Sequence, residues 1–202
     1  MNFELAHWQM SIKTQGLAGP GSPLALQEAA AARRVTGSVS LQGEIFRADF
    51  LAEGHELNAR PKLSKTEPVW GLWDSDVCEV FLSSAQREEG VAGAPYFEFQ
   101  VSPFAQFFEL KIFEPRNRAD EHFRSGLKVS AKILTTHSWQ GSIEISLSAL
   151  GIHRDGPLFG GLFACLGRAR PPEGRRYYAL HLPAQGQPDF HVPAAFTRFV
   201  LE

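Results

Sequence analysis

Several features that advertise a specialised chemistry are scarce or missing here. Two cysteines stand in 202 residues, with no CxxC pair, and each lies in an apolar, strand-like run. Cys78 and Cys165 therefore read as buried free thiols rather than a disulfide framework. No run of about 20 apolar residues exists to span a bilayer. The start, MNFELAHWQMSIKTQ, is too polar for a signal peptide, so a cytoplasmic protein is the expectation. A net charge of -2 gives no electrostatic pull toward nucleic acid or an anionic membrane. None of the seven histidines falls in an HExxH spacing. GxSxG, GxGxxG, a Walker loop and a basic-aromatic nucleic-acid module are also missing.

What is present is sheet patterning. Sixteen phenylalanines suit a thick sandwich core, or a core plus an aromatic groove. In the stretch Pro68 to Phe113, Cys78, Val80 and Leu82 alternate with Val77, Glu79 and Phe81. Tyr96, Glu98 and Gln100 alternate with Phe97, Phe99 and Val101, and Phe108, Leu110 and Ile112 with Glu109 and Lys111. A period of two places alternate side chains on opposite faces of a sheet. Val35–Leu41 and Glu44–Leu51 show the same rhythm, and His55–Leu57 reads as a short strand. Leu127–Leu134 and Trp139–Leu147 read as an antiparallel pair across the Thr135–Ser138 turn. Leu158–Leu166 reads as a central strand covered on both faces, and Tyr177–Leu182 as a further strand. Phe3–Lys13 reads as an edge strand with a bulge. The one good helix former is Leu24–Arg34, a short N-terminal helix or a mobile Ala-rich segment. Roughly ten short strands with little helix predict one all-β domain over residues 1–202, a β-sandwich of two antiparallel sheets.

The candidate chemistry is sparse. Asp74, Asp76 and Glu79 form an acidic cluster beside a strand. Such residues cap backbone amides in turns, ligate calcium, or serve as paired acids in glycoside hydrolysis. Asp76, Glu79 and Glu98 are the carboxylates a hydrolase would have to use. Glu98 lies mid-strand between Phe97 and Phe99, either paired with a base across the sheet or reaching into a groove. Trp139 fits the core pattern, whereas Trp70 and Trp73 flank a glycine at a loop–strand junction. Aromatics at such a rim stack on the apolar faces of sugar rings or plug the end of the sandwich. Tyr96, Arg116 and Asn117 supply polar partners, Arg116 as a rigid multi-donor fork. His191, in PDFHVP, reads as a hydrogen-bonded turn residue.

Three blocks carry a resemblance, over roughly Val35 to Glu202. LWDSDVCEVFLSS followed by YFEFQVSPFAQFFELKIF resembles the family 9 carbohydrate-binding modules, and more closely their DOMON-like relatives of bacterial origin. The matching residues are Leu72, Trp73, Cys78, Glu79, Phe81, Tyr96, Glu98, Phe99, Ser102 and Pro103. WQGSIEISLSALG and the closing YYALHLPAQGQPDFHVPAAFTRFVLE are similar to the family's later strands. The resemblance implies a two-sheet sandwich in which a pair of aromatics clamps a sugar end, with structural calcium in some members. For the second clamp aromatic the C-terminal half offers Phe159, Phe163, Tyr177 and Tyr178. The expected function is a non-catalytic carbohydrate-binding module. Trp70, Trp73 and Tyr96 form its apolar platform, and Glu98 and Arg116 its directional hydrogen bonds. No cofactor is expected beyond structural calcium. The alternative is a structural or protein-interaction sandwich that has lost the sugar, discriminated by a flat apolar patch in place of a groove.

Overall fold

The computed structural model describes residues 34–86, 93–168, 175–179 and 189–199 with their side chains, and 6–8 by backbone alone. These residues form twelve strands and three single-turn 3-10 helices, with no α-helix among them. The strands are β1 (Ala6–Trp8), β2 (Arg34–Gln42), β3 (Ile45–Glu53), β4 (Val77–Ser83), β5 (Tyr96–Val101) and β6 (Phe107–Glu114). They continue as β7 (Arg118–Asp120), β8 (Lys128–Thr135), β9 (Ser138–Ser146), β10 (Phe159–Leu166), β11 (Arg176–Ala179) and β12 (Thr197–Arg198).

The all-β, two-sheet expectation holds. One sheet has five strands in the order β1-β2-β3-β9-β8. The other has seven, in the order β11-β10-β4-β5-β6-β7, with β12 also paired to β10. Every pairing is antiparallel. The expected β8–β9 hairpin is present, with a register shift between Ile133 and Thr135. His55–Leu57 is not a strand; the His55 and Leu57 N–H groups bond instead to His137 and Thr136 carbonyls in the β8–β9 turn. The expected helix Leu24–Arg34 lies outside the described residues except for Arg34, which opens β2. Of the expected N-terminal edge strand only Ala6–Trp8 lies within them, and it is a strand.

The main core fills the space between the sheets. Val35, Phe46, Ala48, Phe50, Trp139 and Ile143 from the five-stranded sheet meet Cys78, Val80, Leu82, Phe97, Phe99 and Leu162 from the other. Gly141 permits this approach: a Cβ there would come within 2.8 Å of the Trp139 ring and 3.0 Å of Val101. The two cysteines cannot bridge. Cys78 pairs with Ala164, and Cys165 with Val77, so adjacent positions on the two strands send the thiols to opposite faces. Both are buried and free.

Strands β4 and β5 are buried at every position, on the outer face as well as the inner. A second apolar layer explains this. On the outer face Phe81, Tyr96, Phe108, Ile112, Phe163 and Phe196 cluster under the segments that bring in Trp73 and Phe190. The groove described next is set into this layer.

Candidate binding groove

An open cavity of about 650 Å³ lies on the outer face of the seven-stranded sheet. Its volume is in the range of small-molecule sites. Trp70, Trp73 and Phe108 form one wall, Tyr177, Phe190 and His191 line it from the C-terminal part of the chain, and Glu79, Glu98 and Gln100 line it from the sheet.

The aromatic wall depends on a stapled loop. Gly71, at φ 71°, turns the chain into the 3-10 helix Leu72–Asp74. Val69 N–H bonds the Phe107 carbonyl at 2.8 Å, fixing the loop to β6. Arg60 donates to the Gly71 carbonyl and, at 2.7 Å, to Ser75 Oγ. Arg175 donates to the Trp73 carbonyl and, at 2.9 Å, to that of Ser75. Held this way, Trp70 and Trp73 meet edge to face, centroids 5.1 Å apart at 76°, and both meet Phe108 in the same manner. A sugar ring cannot enter between two indoles in that contact, so the pair is one wall and not the two jaws of a clamp. Trp70 keeps 61% of its surface exposed, while Trp73 is half-buried.

The polar floor comes from strand register. Glu79 stands directly opposite Gln100, and Phe81 opposite Glu98. Glu79, Glu98 and Gln100 are 3%, 4% and 1% exposed. Gln100 Nε2 donates to Glu98 Oε1 at 2.6 Å and to Glu79 Oε1 at 3.3 Å, so one amide bridges two carboxyls. Cys165 Sγ donates to Glu79 Oε1 at 3.7 Å. Burial pushes the Glu98 carboxyl up to about 7 against the lowering effect of Gln100. Burial, reinforced by the Glu98 charge, pushes Glu79 well above the usual carboxylate range. Such a pair retains a proton near neutrality. His191 Nε2 is 3.7 Å from Glu98 Oε2, but burial lowers its pKa and holds the ring neutral, so this contact is not an ion pair. The His191 Nδ1 partner is the Tyr96 hydroxyl, at 2.9 Å.

The expected site residues separate into two groups. Trp70, Trp73, Glu98 and Arg116 all line the cavity. Tyr96 does not. Its ring is wholly buried against Phe81, Phe196 and His191, which removes it from the platform and makes it a support for His191. Glu98 has no cross-strand base, because its neighbours are Phe81 and Leu110. Arg116 sits at the rim with φ 62°, in the β6–β7 turn, and pairs with Asp189 at 2.8 Å. That ion pair and the His191 N–H hold Asp189 below the usual range despite its partial burial. The same pairing docks the 189–199 segment beside the groove.

The acidic cluster does not hold together as a calcium cage. Glu79 points into the groove and Asp74 is exposed. Asp76 is buried and accepts the N–H groups of Asn58 at 2.9 Å and Gly167 at 2.6 Å, which ties two loops to the start of β4. Burial raises its carboxyl to about 6 against the pull of those bonds and of Arg175. Among the described residues no three His, Cys, Asp or Glu converge as metal ligands.

Sequence reasoning missed Gln100, Phe108, Cys165, Phe190 and His191 as groove residues. A usable signal was present. The alternation puts Glu79 on one face of its strand and Glu98 with Gln100 on one face of theirs, and only the register that joins them was lacking.

No family model matches the chain, and no curated protein matches it by sequence. Two solved structures resemble it in fold. A candidate carbohydrate-binding protein from Bacteroides uniformis ATCC 8492 superposes with a TM-score of 0.65 at 14% identity, over 97% of this chain and 85% of that one. A family 9 carbohydrate-binding module from Caldicellulosiruptor kristjanssonii, in complex with glucose, superposes with a TM-score of 0.53 at 9% identity, over 97% of this chain and 82% of that one.

Proposed function

We propose that this chain, which shares the fold of those two proteins, binds carbohydrate without catalysis in the outer groove. The observation that carries the reading is the groove itself. An exposed tryptophan stands on one wall of a cavity of about 650 Å³, over buried carboxyl and amide groups. Sugars require that combination, because a ring offers an apolar C–H face to an aromatic side chain and hydroxyls to polar ones. Trp70, backed by Trp73 and Phe108, supplies the stacking surface. Glu98, Glu79 and Gln100 meet hydroxyls at the floor, and Arg116 with Asn117 contributes at the rim. A concave site of this kind also weighs against the protein-interaction alternative, which calls for a flat apolar patch. A hydrolase would lack Asp76, whose oxygens are occupied by loop N–H groups.

The test is a soluble-glycan screen of the purified protein, read by intrinsic tryptophan fluorescence and repeated with calcium and with chelator. The expected result is a saturable change with a subset of sugars, unaltered by chelator. Silence across the screen from a folded protein would overturn the reading.

A further inference from the structure

The floor of the groove is unusual in its balance of donors and acceptors. Two carboxyls from adjacent strands, Glu79 and Glu98, converge on the single amide nitrogen of Gln100. The carbonyl oxygen of the same amide, Gln100 Oε1, is buried and has no hydrogen-bond partner among the described residues. Gln100 is 1% exposed and lines the cavity beside both acids. Among the described residues, the donors that reach the carboxyls within hydrogen-bond distance are the Gln100 amide and the Cys165 thiol. No Lys or Arg among the described residues forms an ion pair with either acid. Arg175 reaches Glu79 through its charge while its guanidinium bonds the Trp73 and Ser75 carbonyls, and Arg116 at the rim is paired with Asp189.

We infer that the groove is selective for a ligand bearing a primary ammonium group, an amino sugar in preference to a neutral one. The inference rests on the carbohydrate reading above and narrows it. A hydroxyl brings one donor and accepts one in return, and for that return the floor offers the one proton the acid pair retains against several acceptor oxygens. An ammonium brings three donors, asks for none, and carries the full charge that the His191 ring, 3.7 Å from Glu98 and held neutral by burial, does not give these two buried carboxyls. Removing charged groups from water is costly unless an opposite charge arrives with them, so the ammonium and the acid pair complete each other. The proton that the acids retain near neutrality leaves to solvent as the ammonium binds. The aromatic wall is compatible with this ligand, since the rest of the ring keeps its C–H face for Trp70.

Calorimetric titration of the full chain with glucosamine, glucose and N-acetylglucosamine tests the inference at constant pH and ionic strength. The three probes share a pyranose ring and differ at one substituent. The expected result is at least tenfold tighter binding of glucosamine than of the other two. In Glu98→Gln and Glu79→Gln, which keep side-chain volume, that ratio should fall toward one while the thermal melt stays cooperative. Carrying both variants keeps the test decisive if one fails to fold. Equal binding of glucosamine and glucose would overturn the inference and leave the carbohydrate reading standing. No binding of any of the three would overturn the inference, and silence across the wider glycan screen would remove the carbohydrate reading as well. A glucosamine preference that survives both substitutions would place the ammonium elsewhere and also overturn it.

Discussion

The two faces of strand β5 are built from one six-residue run and do opposite things. The inner face presents Phe97, Phe99 and Val101 to the other sheet, in a dry aromatic and aliphatic layer. The outer face presents Tyr96, Glu98 and Gln100, equally buried but polar. Burial alone therefore does not separate core from site. The difference lies in what each side chain finds when it is buried. Phe99 finds apolar neighbours, which is favourable with no partner required. Among the described residues Glu98 finds one amide and a neutral imidazole, and no Lys or Arg, which costs the folded state and leaves capacity for a ligand.

Substitution on the two faces should break stability and binding apart. The largest effect is expected inside. Trp139→Ala removes a fully buried indole and should cost about 3–5 kcal/mol in a urea melt. A cost below about 1 kcal/mol would mean that the layer between the sheets is not the main core.

The next effect is a pH dependence from the outer face. The folded state holds Glu98 at about 7 against an ordinary 4.5, so it binds that proton more tightly than the unfolded chain. Stability attributable to Glu98 is full below about 4.5 and is lost as pH rises through about 7. The upper bound is about 3 kcal/mol, from 1.36 kcal/mol per pKa unit. Asp76, raised to about 6, slopes the same way, while His191, lowered by burial, slopes the other. Glu98→Gln removes its own slope and relieves Glu79 of a neighbouring charge, so melts between about pH 5 and 8 should flatten relative to wild type. An unchanged slope would contradict the buried, unpaired placement of Glu98.

A smaller effect belongs to the rim. Arg116 is mostly exposed in its pair with Asp189, and such pairs contribute about 0–1 kcal/mol. Arg116→Ala should barely move the melting temperature but should shorten hydrogen-exchange protection in residues 189–199, which the pair helps to dock. Protection equal to wild type would free Arg116 from that role.

Much of this architecture is legible in the residues, because alternation is local. Val77, Glu79 and Phe81 can be assigned to one face of β4 from the chain alone, and Glu98 with Gln100 to one face of β5. That Glu79 lies opposite Gln100 depends on the register between strands 21 positions apart in sequence, which alternation does not specify. Tyr96 leaves the expected platform for a related reason. It shares a face with Glu98, but Phe196 and His191 fold back over it from the far end of the chain. Trp70 and Trp73 were recognisable as a loop pair, while their edge-to-face contact through Phe108 depends on Arg60 and Arg175 stapling the loop.

The most direct test joins the two faces in one variant. Trp70 is 61% exposed, so Trp70→Ala should change unfolding free energy by no more than about 0.5 kcal/mol. Its binding of the sugar selected in the screen should nevertheless weaken about tenfold or more, read by calorimetry beside the wild type. A variant that melts like the wild type and binds its sugar equally well would contradict the account, because the outer groove would then not be where the ligand sits.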